Sequence, residues 1–413
     1  MMPKIKNIRE QFPYLNKNKK TIYFDNGATT LKPETVIKAE SDYLTYIAAN
    51  PHSVDYESAF EANEVLLKTR KLVKEFINAD NEKEVIFTSG ATESLNQVAF
   101  GIEDLISEND EILITNLEHS SELLPWVIVA KKKKAIIKEI PLNNDLSIDV
   151  DKLMKMINKK TKVVTFSTVS NTIGAWNDSQ AIIKAIRKKN PKVIVAVDAA
   201  QSIGHIKTDV KNWDVDFLSF SAHKMYGPFG VGVLYGKEEY LEQLTPFKYG
   251  GGMSASINLK ELSYEPEPIP ARLEAGTPNI SGIYAFAKAI EFINDLGIDK
   301  IHEYETGLKE YAKRAILTNE LEKEFDFYNL ENDSPIILFN AKGLNPQDIA
   351  TYLANDYDID VRSGAHCARL TDEVIKTKIT IRASLAVYNT TKEIDTLVEA
   401  LKNSDHFLDH LFK

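Results

Sequence analysis

The chain has 413 residues, 43% hydrophobic and 27% charged, and its 50 basic and 60 acidic side chains leave a formal net charge of −10. That balance is globular rather than disordered or fibrous, and the length suits two or three domains. A net-acidic surface argues against nucleic acid or an anionic membrane as partner. One cysteine excludes an intramolecular disulfide and a thiolate metal cluster within one chain, and no metal site is expected. No run approaches the ~18 apolar residues of a membrane span, and the start offers no signal sequence, so a soluble cytoplasmic protein is expected.

Along the chain, helical and strand-like patterns alternate from about residue 59 to 290. Residues 59–79 carry Val65, Leu66, Leu72, Val73 and Phe76 at helical spacing. Six short β-branched runs follow, at 84–89, 111–116, 162–170, 192–200, 216–222 and 231–236. Near-continuous apolar runs of this length suit strands buried on both faces, hence a mainly parallel sheet with helical crossovers. The basic run Lys131–Lys134 reads as a solvated helix end. Residues 249–270, with Gly250-Gly251-Gly252 and Glu-Pro-Glu-Pro-Ile-Pro, read as a long loop. After Ser281 come a helix-rich stretch, a strand at 335–340, a helix begun by Pro346, strands at 359–361 and 378–385, and a closing helix. Thr390-x-x-Glu393 is a capping box for that last helix. The expected fold class is therefore α/β, with a large domain over 22–280. A smaller α+β domain over 281–413 has residues 1–21 packed on it.

In open α/β sheets, ligands collect at the carboxyl ends of the strands. Three such ends stand out. Gly90-Ala91-Thr92-Glu93 is a small-residue turn opening a helix, whose free N–H groups suit a phosphate or simply cap a turn. It matches neither dinucleotide nor P-loop patterns, which disfavours a dehydrogenase. Asp198 ends an apolar run, where a carboxylate is costly to bury alone, and either faces a cation or caps the next turn. Lys224, in Ser221-Ala222-His223-Lys224-Met225-Tyr226-Gly227-Pro228, lies between a buried strand and a Gly-Pro turn. There a desolvated amine can form a Schiff base, although a surface lysine is the plainer alternative. Together, a phosphate turn, a strand-end aspartate and a loop lysine are what pyridoxal phosphate requires. Cys367 is flanked by His366, Arg362 and Arg369 in a polar segment, a setting that favours a reactive thiolate. Arg382, at a strand end, can clamp a carboxylate or form a structural ion pair.

The chain resembles the pyridoxal-phosphate-dependent cysteine desulfurases of the class V aminotransferase fold (fold type I), most closely the SUF-system, group II type. The likeness rests on Tyr23-Phe24-Asp25-Asn26-Gly27-Ala28-Thr29-Thr30, Phe87-Thr88-Ser89-Gly90-Ala91-Thr92-Glu93, Glu118-His119, Val197-Asp198-x-x-Gln201, Ser221-x-His223-Lys224-x-x-Gly227-Pro228, Glu274-Ala275-Gly276-Thr277, Arg362-x-Gly364-x-x-Cys367 and Arg382-Ala383-Ser384. The resemblance implies that Lys224 binds the cofactor aldehyde and shuttles the Cα proton, while His119 stacks on the ring. Asp198 pairs with the ring nitrogen and Gln201 with the phenolic oxygen. Ala91, Thr92, Ser221 and His223 hold the phosphate, and Thr277 reaches that of the partner subunit in a homodimer. Asn171 and Arg382 bind the carboxylate of L-cysteine, with Arg362 beside them. Cys367 takes the sulfur as a persulfide for a SUF-system acceptor protein and iron–sulfur cluster assembly.

Three positions depart from the family pattern. The loop Asn50-Pro51-His52-Ser53 lacks the usual arginine, and Ser120 replaces a common second histidine. Gln347 stands where a zinc-bearing acceptor tends to meet a histidine, and glutamine is a poor zinc ligand, so the acceptor stays open. The same fold would also accommodate a selenocysteine lyase or an aminotransferase. A non-catalytic sulfur acceptor or scaffold is the alternative of another class. Cys367 separates these readings, because only cysteine desulfuration depends on its thiol.

Overall fold

The computed structural model describes residues 7–51 and 55–404; His52 and Ser53 of the departing loop lie outside the described residues. Seven strands form the large sheet: β1 (Val85–Thr88), β2 (Glu111–Ile114), β3 (Ile136–Glu139), β4 (Thr161–Ser167), β5 (Ile194–Asp198), β6 (Phe217–Ser221) and β7 (Gly232–Gly236). Their order is β1-β7-β6-β5-β4-β2-β3. All neighbours are parallel except β7, which runs antiparallel to both β1 and β6. β5, β6 and β7 are buried along their whole length, which is why they read as unbroken apolar runs. β3 was not anticipated, because this edge strand is exposed at both ends and carries Lys138 and Glu139.

Helices cover the sheet: α1 (Glu34–Asp42), α2 (Glu57–Phe76), α3 (Ala91–Gly101), α4 (Ser120–Lys133), α5 (Ser179–Lys189) and α6 (Ile280–Leu296). The lysine run closes α4, with Lys134 in the left-handed region just past its end, as expected of a solvated helix terminus. The 249–270 segment is not an open loop but carries an antiparallel hairpin, β8 (Ser254–Asn258) and β9 (Ser263–Pro266). Its strands are almost wholly exposed and flanked by Gly and Pro, so no buried face marked them in the sequence.

The smaller C-terminal domain holds a four-stranded antiparallel sheet, β10 (Phe325–Phe327), β11 (Ile336–Ala341), β12 (Arg362–Gly364) and β13 (Thr380–Ser384), in the order β10-β11-β13-β12. Helices α7 (Ile298–Thr318), α8 (Pro346–Tyr357) and α9 (Thr391–Lys402) accompany it. Asn345 caps α8 just before its leading proline, and the Thr390–Glu393 capping box opens α9. A buried cluster of Leu308, Phe325, Phe339, Leu353, Ile381 and Leu397 binds sheet to helices.

The N-terminal residues join both parts. Phe12 is fully buried against Tyr226, Phe292 and Tyr388, and Arg9 pairs with Glu393 of α9 at 2.7 Å. Ile22–Tyr23 pairs in parallel with Ile359–Asp360. The loop that follows is tied to the end of β13: Ser384 N–H donates to the Phe24 carbonyl at 2.6 Å, and Gly27 N–H to Ser384 Oγ at 2.7 Å. The buried Asn26 and Tyr388 side chains bond across the same junction. This seam places the last strand beside the carboxyl edge of the large sheet.

Candidate active site

At that edge β4, β5 and β6 end side by side in Ser167, Asp198 and Ser221, with Ser167 and Asp198 in register. These residues line one cavity of about 220 Å³. Of the residues singled out in the sequence, Ala91, Thr92, His119, Asn171, Asp198, Gln201, Ser221, His223, Lys224, Arg362, Cys367 and Arg382 all line it. Thr277 does not: it is exposed, accepts from Asn50 Nδ2 at 3.0 Å, and borders a separate cavity with Glu93 and Lys248.

The turn at Gly90–Thr92 follows from packing. Gly90 caps α3, and a Cβ on Gly232 of β7 would fall 2.4 Å from the Gly90 Cα, so only glycine lets the turn lie on the strand. The Ala91 N–H is occupied by Ser221 Oγ at 2.7 Å, and Thr92 Oγ1 lies 2.7 Å from Ser121 Oγ. His119 caps α4, its Nδ1 accepting from the Ser121 N–H at 3.0 Å, which leaves the ring proton on Nε2. Burial, with the cations of Lys224, Arg362 and Arg382, holds its pKa down at about 4, so the ring is neutral near pH 7.

Asp198 is buried, and burial raises its pKa; the Ala200 N–H at 2.8 Å and the positive charge of Lys224 act against that. The carboxylate thus both caps a turn and faces the cavity. Lys224 closes a short 3-10 turn after β6. Burial lowers its pKa to about 8, Asp198 and Cys367 opposing and the two arginines assisting. The preceding His223 is held hard: its carbonyl accepts from Thr30 N–H at 3.1 Å, Thr29 Oγ1 at 2.9 Å, Thr30 Oγ1 at 3.2 Å and Lys32 Nζ at 3.1 Å. The His223 ring stacks on Phe229, with a pKa held at about 4 by burial and the nearby lysines.

Arg382 is 2% exposed; it donates to the Asn171 carbonyl at 2.5 Å and lies 3.4 Å from Asp25 Oδ1. A Cβ on Gly27 would stand 2.9 Å from its Cζ. Register sets Arg362 opposite Arg382, where among the described residues it makes no ion pair, so two cations face the cavity. The exposed Cys367 sits in a loop after β12, with φ +58°. His223 Nδ1, Asn171 Oδ1 and Arg382 Nε are buried without partners, polar atoms of the kind a bound anion or polar ligand satisfies.

Sequence reasoning did not assign the buried carboxyls beneath this site. Glu118 bonds Thr115 Oγ1 at 2.6 Å and also Ser167 Oγ, and burial pushes its pKa up to about 7. Glu122 bonds Thr165 Oγ1 and Trp126 Nε1, with its pKa raised well above the carboxylate range by burial. Glu122, in the first turn of α4, would ordinarily read as an exposed dipole partner and Glu118, just before the cap, as a loop acid, so only their neighbours in β4 reveal the burial. Gly27, Thr29, Thr30 and Lys32 were also given no role, although Gly27, Thr29 and Thr30 stand in one of the motifs that carry the resemblance.

A buried lysine with a lowered pKa, a strand-end acid, two arginines and an exposed thiol thus surround one cleft of an α/β fold. Residues 22–397 match the Aminotransferase class-V family, and the chain belongs to it. Enzymes of this family generally depend on pyridoxal phosphate. A probable cysteine desulfurase of Ureaplasma parvum is 41% identical over 406 residues, covering 96% of both chains. Among solved structures, the apo cysteine desulfurase of Thermococcus onnurineus is 35% identical with a TM-score of 0.90, covering 98% of each chain. The Escherichia coli cysteine desulfurase CsdA, in an S-sulfonic acid form, is 33% identical with a TM-score of 0.88, covering 99% of each. Among the described residues no helix is long and apolar enough to cross a membrane, and no group of metal ligands occurs.

Proposed function

We propose that this enzyme is a pyridoxal-phosphate-dependent cysteine desulfurase, turning L-cysteine into L-alanine and leaving a persulfide on Cys367. The observation that carries the reading is that Lys224, Asp198, Arg382 and Cys367 line one cavity. The unpartnered polar atoms fit the cofactor, and so does the raised pKa of Asp198, since a protonated ring nitrogen would return that buried carboxylate to its charged form. When bound, the cofactor supplies an electron sink for a carbanion at the substrate Cα.

The chain's own residues do the rest. Lys224, with its lowered pKa, would hold the cofactor by its aldehyde and could move the proton at the substrate Cα. Neutral His119 would cover the face of the bound ring, and Gln201 would meet its phenolic oxygen. The Ala91–Thr92 turn, Ser221 and His223 would hold the phosphate. Arg382 and Asn171 orient the substrate carboxylate, and Arg362 adds positive charge beside the thiol. Attack by Cys367 Sγ forms an S–S bond as the substrate C–S bond breaks, the electron pair staying with the carbon skeleton. No external oxidant or reductant is needed. A division near residue 280 separates the cofactor-holding part from 281–413, which carries the thiol and the carboxylate clamp. A cytoplasmic homodimer is part of this reading, with Thr277 serving the partner's phosphate. So is delivery of sulfur to a SUF-type acceptor for iron–sulfur assembly.

The test is Cys367→Ser. The variant is expected to retain the yellow, borohydride-reducible cofactor on Lys224 and to lose sulfide release from L-cysteine. Turnover of cysteine at the wild-type rate would refute the assignment. Turnover of selenocysteine alone would favour the lyase.

A further inference from the structure

The thiol loop is fastened to the helix that carries His119. In the first turn of α4 the N–H groups have no partner within the helix. Ser121 gives its N–H to His119 Nδ1. Ser120 gives both its N–H and its hydroxyl to one acceptor, the carbonyl of Cys367, each at 2.7 Å. The loop so held is not in a relaxed shape. His366 and Cys367 both have positive φ, +48° and +58°, which side-chain-bearing residues keep only where their surroundings impose it. Elsewhere the loop is tied through His366: its carbonyl accepts from Asn171 Nδ2 at 2.6 Å, and its Nε2 meets Thr380 Oγ1 at 2.9 Å. Asn171 and Thr380 anchor the residue before the thiol, whereas among the described residues Ser120 alone bonds Cys367 itself.

We propose that Ser120 is a positioning residue: it latches the Cys367 backbone onto the start of α4 and so fixes the thiol at the cavity where substrate sulfur is released. The proposal rests on Cys367 being the sulfur-accepting nucleophile. It also gives the position that departs from the family's second histidine a use suited to serine, whose short hydroxyl and N–H converge on one oxygen. Residues 119 and 120 then have opposite duties, one toward the cavity and one toward the thiol loop.

A proline at 120 removes both donors at little cost to the helix. Position 120 is the first helical residue, where proline is favoured. His119 already has φ −59° and ψ 146°, the extended conformation that a following proline requires. The experiment compares Ser120→Pro, Ser120→Ala and Ser120→Thr in the cofactor-loaded enzyme. It combines amide hydrogen exchange of a peptide spanning 363–370 with steady-state alanine formation. Losing two hydrogen bonds is expected to speed exchange in that peptide about 10-fold in Ser120→Pro, and losing one about 3-fold in Ser120→Ala. Ser120→Thr should match wild type. The kcat for alanine should fall in the same order while KM for L-cysteine and the cofactor absorbance stay unchanged, since the carboxylate clamp and the lysine are untouched. Unchanged exchange overturns the latch, and faster exchange at unchanged kcat overturns its positioning role. Should Ser120→Pro fail to fold, the alanine and threonine variants decide by the same two readings. If Cys367→Ser still desulfurates cysteine, the nucleophile assignment fails, whereas the exchange result reports on the latch independently.

Discussion

A single methyl group added at Gly27 tests the substrate clamp without altering any charge. The Gly27 backbone is held at both ends, its N–H on Ser384 Oγ at 2.7 Å and its carbonyl on Gln201 Nε2 at 2.9 Å. Its φ is not positive, so alanine suits the local conformation. The new Cβ would lie 2.9 Å from Arg382 Cζ and 3.0 Å from Nη2. Ordinary contact begins at about 3.5 Å, so the guanidinium must retreat by roughly 0.6 Å, because the braced backbone does not. That shift disturbs the Asn171 and Asp25 contacts that aim Arg382. Losing one well-aimed charged hydrogen bond to a substrate carboxylate is worth ~1.5–3 kcal/mol. Gly27→Ala is therefore expected to raise KM for L-cysteine about 10- to 100-fold, approaching the effect of Arg382→Ala. The assay is sulfide and alanine production over a range of cysteine concentrations, with thermal unfolding run alongside. A folded Gly27→Ala enzyme with wild-type KM would refute both the clamp and the geometric reasoning.

Two further outcomes follow from the buried titrating groups. Because burial lowers the Lys224 pKa to about 8, apoenzyme should take up pyridoxal phosphate faster as pH rises, levelling off above 8; a midpoint near the ordinary lysine value of 10.5 would refute the burial. Glu118, raised from 4.5 to about 7, binds its proton more tightly in the fold than in the unfolded chain. Stability should therefore fall as pH rises from 4.5 through 7, by about 3 kcal/mol. Glu118→Gln should remove that loss, and equal pH dependence in denaturant melts of the two proteins would count against the raised pKa.

What could be read from sequence divides along physical lines. Strands buried on both faces announced themselves, because every residue from Ile194 to Asp198 is inside. The edge strand at Ile136–Glu139 and the exposed hairpin did not, since neither has a buried face to impose a pattern. Asp198 and Lys224 could be found from position alone: each follows an apolar run at the sheet's carboxyl edge, where a charge needs a reason. The grip of Thr29, Thr30 and Lys32 on the His223 carbonyl could not, because it joins segments about 190 residues apart through a backbone atom that any residue possesses. Gly27 is similar. Its meaning lies in the guanidinium beside it, and no local rule of turns points there.

The seam between Phe24–Gly27 and Ser384 has a consequence for biosynthesis. Arg382 belongs to the strand that completes this seam, and Lys224 is braced by the loop that continues from it. A nascent polypeptide emerging amino end first thus carries the Lys224 amine long before it carries Cys367 and Arg382. Until residues 367 and 382 have emerged, an intermediate bearing the Lys224 amine lacks both the thiol and the guanidinium that the proposed sulfur transfer needs.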